Sequence, residues 1–208
     1  MTQTQQRHGS TVMRRQSRPW GILEDMPHDA KTPASPPPLP PPRDAAGPYR
    51  ICCVCLGNIC RSPMAEVVLR DQVSKAGLGD HVVVDSAGTG DWHVGDRMYA
   101  RARAQLAQDG YDGEAHRARQ FDPSWLPERD LILAMDATNL RDLRAQAPAA
   151  EAHRIRLFGE VAGLGGQDVP DPYGGSAKDF AAVLALLESG MARLVAQLSL
   201  ISKDGGWL

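Results

Sequence analysis

Arg50-Ile-Cys-Cys-Val-Cys-Leu-Gly-Asn-Ile-Cys-Arg-Ser-Pro63 is the stretch whose reading decides the fold. Arg50–Cys55 is a short apolar, β-branched run, which predicts a strand. From Pro63 to Ala76 the apolar residues Met64, Val67, Val68 and Val73 recur at helical spacing. The turn between them is built to bind an anion. Gly57 permits a tight turn, and Asn58 belongs to the few other residues that tolerate a left-handed backbone. Ser62 reads as an N-cap and Pro63 as the first helical residue. Such a loop aims a run of main-chain N–H groups, at a helix N-terminus, toward one point.

The sequence places a thiol, Cys55, and a guanidinium, Arg61, at the two ends of that loop. Positive potential at a helix N-terminus favours the thiolate, the nucleophilic form of cysteine. A guanidinium offers a planar fork that matches two oxygens of a phosphoryl group. Nucleophile, cradle and fork together describe phosphoryl transfer through a cysteinyl-phosphate, with the Ser62 hydroxyl able to donate to the sulfur.

Working outward, strand and helix alternate. His81–Asp85, Asp130–Met135 and Arg154–Leu157 read as further strands, and Arg97–Asp109, about 138–146 and Ser176–Leu200 as further helices. That alternation implies right-handed crossovers and a mostly parallel sheet, with ligands bound beyond the carboxyl ends of the strands. The expected fold is therefore α/β: three layers, with a central four-stranded parallel sheet flanked by helices.

The chain divides near residue 48. Residues 1–48 hold ten of the sixteen prolines, including Pro36-Pro37-Pro38-Leu39-Pro40-Pro41-Pro42, and are read as a disordered, proline-rich leader. A dispensable tail or an over-early start codon is the plain explanation, a proline-motif ligand or a transit peptide the alternatives. Residues 49–203 form the expected catalytic domain.

Composition removes other classes. The 208 residues carry a net charge of −2, which argues against a nucleic-acid binder working by bulk charge. The longest apolar run, around Ala181–Leu187, falls well short of the roughly 18 residues of a membrane span. All four cysteines (52, 53, 55 and 60) lie within nine residues, too close to staple distant loops and wrongly spaced for structural zinc. They read as thiols of a reducing compartment, which points to the cytoplasm. Cys52 and Cys53 read as ordinary strand residues.

Val54-Cys-Leu-Gly-Asn-Ile-Cys-Arg-Ser-Pro-Met-Ala-Glu66 resembles the signature loop of the low-molecular-weight protein tyrosine phosphatases. Asp85-Ser-Ala-Gly-Thr-Gly90, Met135-Asp136, Asn139-Leu-Arg-Asp-Leu143 and Asp171-Pro-Tyr173 resemble further segments of that family. The resemblance implies that Cys55 attacks phosphorus, that Arg61 clamps the equatorial oxygens, and that Asp171 protonates the leaving phenolate and then activates water. It implies that Leu56, Gly57, Asn58, Ile59, Cys60 and Ser62 bind the phosphoryl group, and that Trp92 and Tyr173 wall the pocket mouth. Ser86 and His116 would support Asn58, and Cys60 could form a reversible disulfide with Cys55. Independently, Pro170 and Pro172 restrict the backbone on both sides of Asp171. The implied partner is a phosphotyrosine-containing protein, a tyrosine kinase among the candidates. Neither nucleic acid nor membrane is implied, and no metal or cofactor, since amides and one guanidinium handle the charge.

One departure stands out: Gly174 follows Asp-Pro-Tyr where many bacterial members carry a second tyrosine. Three other readings compete. Relatives that act on phosphoarginine carry threonine where Ile59 stands, and isoleucine cannot hydrogen-bond a guanidinium. Arsenate-reducing relatives relay a disulfide through downstream cysteines, and none follows Cys60. A binding module without turnover would not need Cys55, Arg61 and Asp171 together.

Overall fold

β1 (Tyr49–Cys55) is the middle of the molecule, and its residues are buried on both faces, Arg50 excepted. The structure is a computed structural model describing residues 36–201 of the chain. Four strands run parallel in the order β2-β1-β3-β4, with β2 at Val82–Gly88, β3 at Leu131–Ala134 and β4 at Ile155–Leu157. Helices α1 (Arg61–Lys75), α2 (Ala100–Gln108), α3 (Ala137–Gln146), α4 (Phe158–Val161) and α5 (Ala177–Ile201) complete the fold. This is the three-layer α/β architecture expected from the alternation. From β1 the chain adds β2 on one side, then returns to add β3 on the other. The reversal places a switch point at the carboxyl ends of β1 and β3, where Cys55 and Asp136 emerge.

Side chains alternate across the sheet. Ile51, Cys53 and Cys55 join a large core with α1, α2 and α5, whereas Cys52 and Val54 join a smaller one with Phe121, Leu126 and Leu143. α5 carries a continuous apolar stripe (Phe180, Val183, Leu184, Leu187, Met191, Leu194, Leu198), each residue buried. At about 1.5–3 kcal/mol per large apolar side chain, that stripe is a main anchor of the domain. By length and composition alone α5 is long and apolar enough to cross a membrane. The sequence reading counted only an uninterrupted apolar run. Here the apolar side faces the protein core.

Several boundaries differ from expectation. β2 runs on to Gly88, because Asp85-Ser-Ala-Gly pairs with Cys52–Cys55 despite its polar members. α1 begins at Arg61, not Pro63, and Cys60 stands at its N-cap without a side-chain cap. The Ser62 hydroxyl turns instead toward the Cys55 sulfur and the Ala87 carbonyl. The four-residue α4 and the 3-10 turn Pro123–Glu128 have no periodicity long enough to read from sequence.

The leader boundary also differs. Part of the polyproline stretch, from Pro36 on, belongs to the structure of the domain. Leu39 packs on the main core, the Tyr49 hydroxyl donates to the Pro40 carbonyl (2.9 Å) and Arg154 to that of Pro41 (2.9 Å). The Arg43 N–H reaches buried Asp130 (2.6 Å), and its guanidinium bonds the Arg129 and Leu126 carbonyls and pairs with Glu151. Residues 39–43 thus strap the amino-terminal ends of the strands, opposite the switch point. Residues 1–35 of the expected leader lie outside the described residues.

Candidate active site

The loop Leu56–Cys60 links the end of β1 to α1 and curls around the Cys55 sulfur. The Asn58 N–H points at Sγ (3.3 Å), and the Ser62 hydroxyl lies 3.0 Å from it. The Ser62 Oγ is also 3.1 Å from the Ala87 carbonyl. Its single proton serves the carbonyl when Cys55 is a thiol and turns to the sulfur when Cys55 is a thiolate.

Asn58 has φ 54°, the one positive φ of a non-glycine residue among the described residues. Four contacts hold it there. Its amide donates to Ser62 Oγ and Ser86 Oγ (both 2.9 Å), its Oδ1 accepts from the Arg119 N–H (2.9 Å), and its carbonyl lies 2.8 Å from His116 Nε2. A carbonyl only accepts, so Nε2 carries the imidazole proton. Burial pushes the His116 pKa down, against the pull of the Asn58 carbonyl and Glu66, with Arg119 and Arg117 lowering it further. Ser86 in turn donates to Glu66 (2.6 Å). The Asn58 and Ser62 side chains therefore belong to a buried network behind the loop, which brings Ser86 and His116 onto Asn58 and the Ser62 hydroxyl onto the Cys55 sulfur. Gly88 is equally constrained. A Cβ there would come within 2.7 Å of the Leu56 carbonyl oxygen and 3.1 Å of the Asn58 nitrogen, so β2 approaches the loop as only glycine allows.

Arg61 is buried at the start of α1. Its Nη1 contacts Asp136 (2.6 Å) and the Val169 carbonyl (3.3 Å), and its Nη2 contacts Asp171 (2.7 Å). Its Nε is buried and has no protein acceptor. Burial alone would lower this guanidinium's pKa, but the Cys55 sulfur, Asp136 and Asp171 outweigh burial and raise it. Two residues before Asp171, the Val169 N–H donates to the Met135 carbonyl (2.8 Å) just beyond β3. The pocket is lined by Cys55, Leu56, Gly57, Ile59, Cys60, Arg61, Trp92, His93, Asp171 and Tyr173. Trp92 and Tyr173 stand exposed at its rim.

All four cysteines are free and buried. Burial pushes Cys60 up to about 12, with Asp171 and Cys55 adding to it and Arg61 opposing. Burial likewise raises Cys52 and Cys53 well above the usual thiol range.

Three residues with evident parts in this geometry escaped the sequence reading. Asp136 orients Arg61 while its other oxygen caps α3 through the Asn139 N–H (2.7 Å). Arg119 fixes Asn58 by its main chain and the Ser86 carbonyl by its side chain (2.8 Å). His93 lines the mouth with Nδ1 held by Asp96 (2.9 Å). A carboxylate directly after a strand was the only available signal, and it was present at Met135-Asp136.

This is a site that can surround a tetrahedral anion with N–H groups and a guanidinium, with a sulfur beneath it and a carboxylate at its edge. The comparisons with known proteins agree. The family model described as low molecular weight phosphotyrosine protein phosphatase matches residues 50–203. A low molecular weight protein-tyrosine-phosphatase of Streptomyces coelicolor is 48% identical over 152 residues, covering 71% of this chain and 92% of that protein. Among solved structures, a low molecular weight phosphotyrosine phosphatase of Vibrio cholerae O395 superposes with TM-score 0.68 at 36% identity (73% of this chain, 97% of that one). YwlE arginine phosphatase, solved as a cysteine-to-serine mutant with its active-site serine phosphorylated, superposes with TM-score 0.67 at 27% identity (73% and 96%). With matching sequence and fold, the chain belongs to the low molecular weight phosphotyrosine protein phosphatase family.

Proposed function

We propose that this protein hydrolyses phosphotyrosine in protein substrates through a phosphocysteine intermediate, in the cytoplasm. The Cys55 thiolate attacks phosphorus, forming the S–P bond as the P–O bond to the tyrosine phenolate breaks. Asp171, protonated at that point, gives its proton to the departing oxygen. Water then attacks the phosphocysteine, Asp171 takes the water's proton, and inorganic phosphate leaves as the thiolate is restored. In both steps Arg61 and the loop N–H groups stabilise the charge that spreads over the equatorial oxygens, being held in place before the reaction begins. The Ser62 hydroxyl donates to the sulfur when it is the attacking and the leaving group.

The observation that carries this reading is the convergence of Cys55, Arg61 and Asp171 on one pocket, with the Asn58 N–H and Ser62 Oγ meeting the Cys55 sulfur from behind it. A phosphoryl oxygen would supply the acceptor that Arg61 Nε lacks, and would compete with Asp171 for Nη2, releasing the carboxyl for proton transfer. Between Trp92 and Tyr173 a flat phenyl ring can pack. Free thiols at positions 52, 53, 55 and 60 support a reducing compartment. The solved YwlE structure, with phosphate on its active-site serine, supports a covalent intermediate here. The mainly apolar wall at Ile59 supports tyrosine over arginine as the phosphorylated side chain.

The test is a parallel assay of a phosphotyrosine peptide, a phosphoarginine peptide and arsenate. Turnover of the first, lost in Cys55→Ser, is expected. Preference for phosphoarginine, or arsenate reduction with a thiol donor, would overturn the assignment.

A further inference from the structure

Tyr99 precedes α2 and connects the two halves of the site. Its N–H donates to the Ile59 carbonyl of the catalytic loop (2.8 Å). Its ring lies 5.1 Å from that of Tyr173, tilted at 52°, and 5.8 Å from that of Phe180, stacked at 23°. Phe180 is fully buried on α5, so the Tyr99 ring stands on a fixed base. Two residues on, the Arg101 guanidinium donates to the Gly175 carbonyl, at the far end of the Asp171 segment.

That segment needs outside support. Tyr173 is 59% exposed and is followed by Gly174, at φ 76°, and Gly175, so it has no second aromatic of its own. The Tyr173 N–H donates to Asp171 Oδ1 (3.1 Å), which ties the position of the tyrosine to that of the carboxylate.

We propose that Tyr99, assisted by Arg101, is a positioning residue for the general acid: its ring buttresses Tyr173 and thereby holds Asp171 over the catalytic loop. This deepens, and rests on, the assignment of Asp171 as the acid. Proton donation matters most when the leaving phenol is a weak acid, and little when it is a strong one. A displaced Asp171 therefore steepens the dependence of kcat/KM, which reports the step that releases the phenol, on leaving-group acidity. A general loss of structure lowers all substrates alike.

The experiment is a series of aryl phosphates of graded phenol acidity, run on wild type, Tyr99→Ala, Tyr99→Leu, Tyr99→Phe and Asp171→Ala, with Tm recorded for each. The Tyr99 hydroxyl makes no hydrogen bond among the described residues, so Tyr99→Phe should match wild type. Tyr99→Ala should lose at least tenfold in kcat/KM on the poorest leaving group and under threefold on the best. Tyr99→Leu, which fills the space beside Phe180, should show the same steepening at smaller amplitude with little change in Tm. A steep Asp171→Ala series beside flat Tyr99→Ala and Tyr99→Leu series would overturn the buttress alone. A flat Asp171→Ala series would remove the acid assignment and the buttress with it.

Discussion

Replacing Asp136 with asparagine asks how much of the site depends on the orientation of Arg61. Asp136 spends one oxygen on Arg61 Nη1 at 2.6 Å and the other on the Asn139 N–H at 2.7 Å. Asparagine has a single acceptor. If that oxygen keeps the helix cap, the amide nitrogen meets Nη1, donor against donor, and the charge attraction is gone. A hydrogen bond to a charged group contributes about 1.5–3 kcal/mol. If the phosphoryl clamp depends on that bond in the transition state, kcat/KM falls about 10- to 150-fold. Arg61 then retains Asp171 as its single carboxylate partner and holds it more tightly, so the loss should grow on substrates that need the acid. Urea unfolding of the variant should show a loss of about 1–3 kcal/mol, since one partner of a buried guanidinium has been weakened. The assay is kcat/KM on a phosphotyrosine peptide and on an activated aryl phosphate, with stability measured in the same buffer. Kinetics within twofold of wild type in a well-folded variant would show that Asp136 serves only α3, and the reasoning would fail.

Two other perturbations follow from the same contacts. The native His116 imidazole resists protonation, so below about pH 6.5 the unfolded chain takes up a proton that the native state refuses, and stability falls with pH through that window. His116→Gln, which keeps an N–H for the Asn58 carbonyl, should flatten this part of the stability–pH curve measured by urea unfolding; an unchanged slope would contradict the assignment. Removing residues 1–35 should leave Tm and turnover unchanged, whereas removing 1–47 should cost at least about 3 kcal/mol, near 1 kcal/mol for each of the bonds that join the Arg43 N–H to Asp130, Pro40 to Tyr49 and Pro41 to Arg154, the more exposed Arg43 side-chain contacts adding to it, with kcat preserved because the strap lies at the opposite end of the strands. Equal Tm for the two truncations would show that the strap contributes nothing.

The catalytic loop was legible because its chemistry is local. Cys55, Gly57, Asn58, Arg61 and Ser62 lie within eight positions, and the strand before and helix after them carry clear periodicities. The residues that brace it were not. Asp136 meets Arg61 only because β3 pairs beside β1, and Arg119 meets Asn58 only because the chain after α2 returns past Gly88. No spacing in the sequence encodes either approach. Ser62 misled as a helix cap because a hydroxyl suited to capping is equally suited to a sulfur. The proline run misled for a related reason: composition shows that a segment cannot form its own core, but not that it can lie on another.

The central claim is that the sulfur of Cys55 carries the phosphoryl group. Rapid acid quench of the enzyme during turnover of an aryl phosphate, followed by mass spectrometry of its peptides, tests this directly. Phosphate on the peptide containing Cys55, absent from Cys55→Ala and formed no more slowly than steady-state turnover, is the expected result. Full turnover with no phosphorylated peptide, or with phosphate on any other residue, would contradict the account.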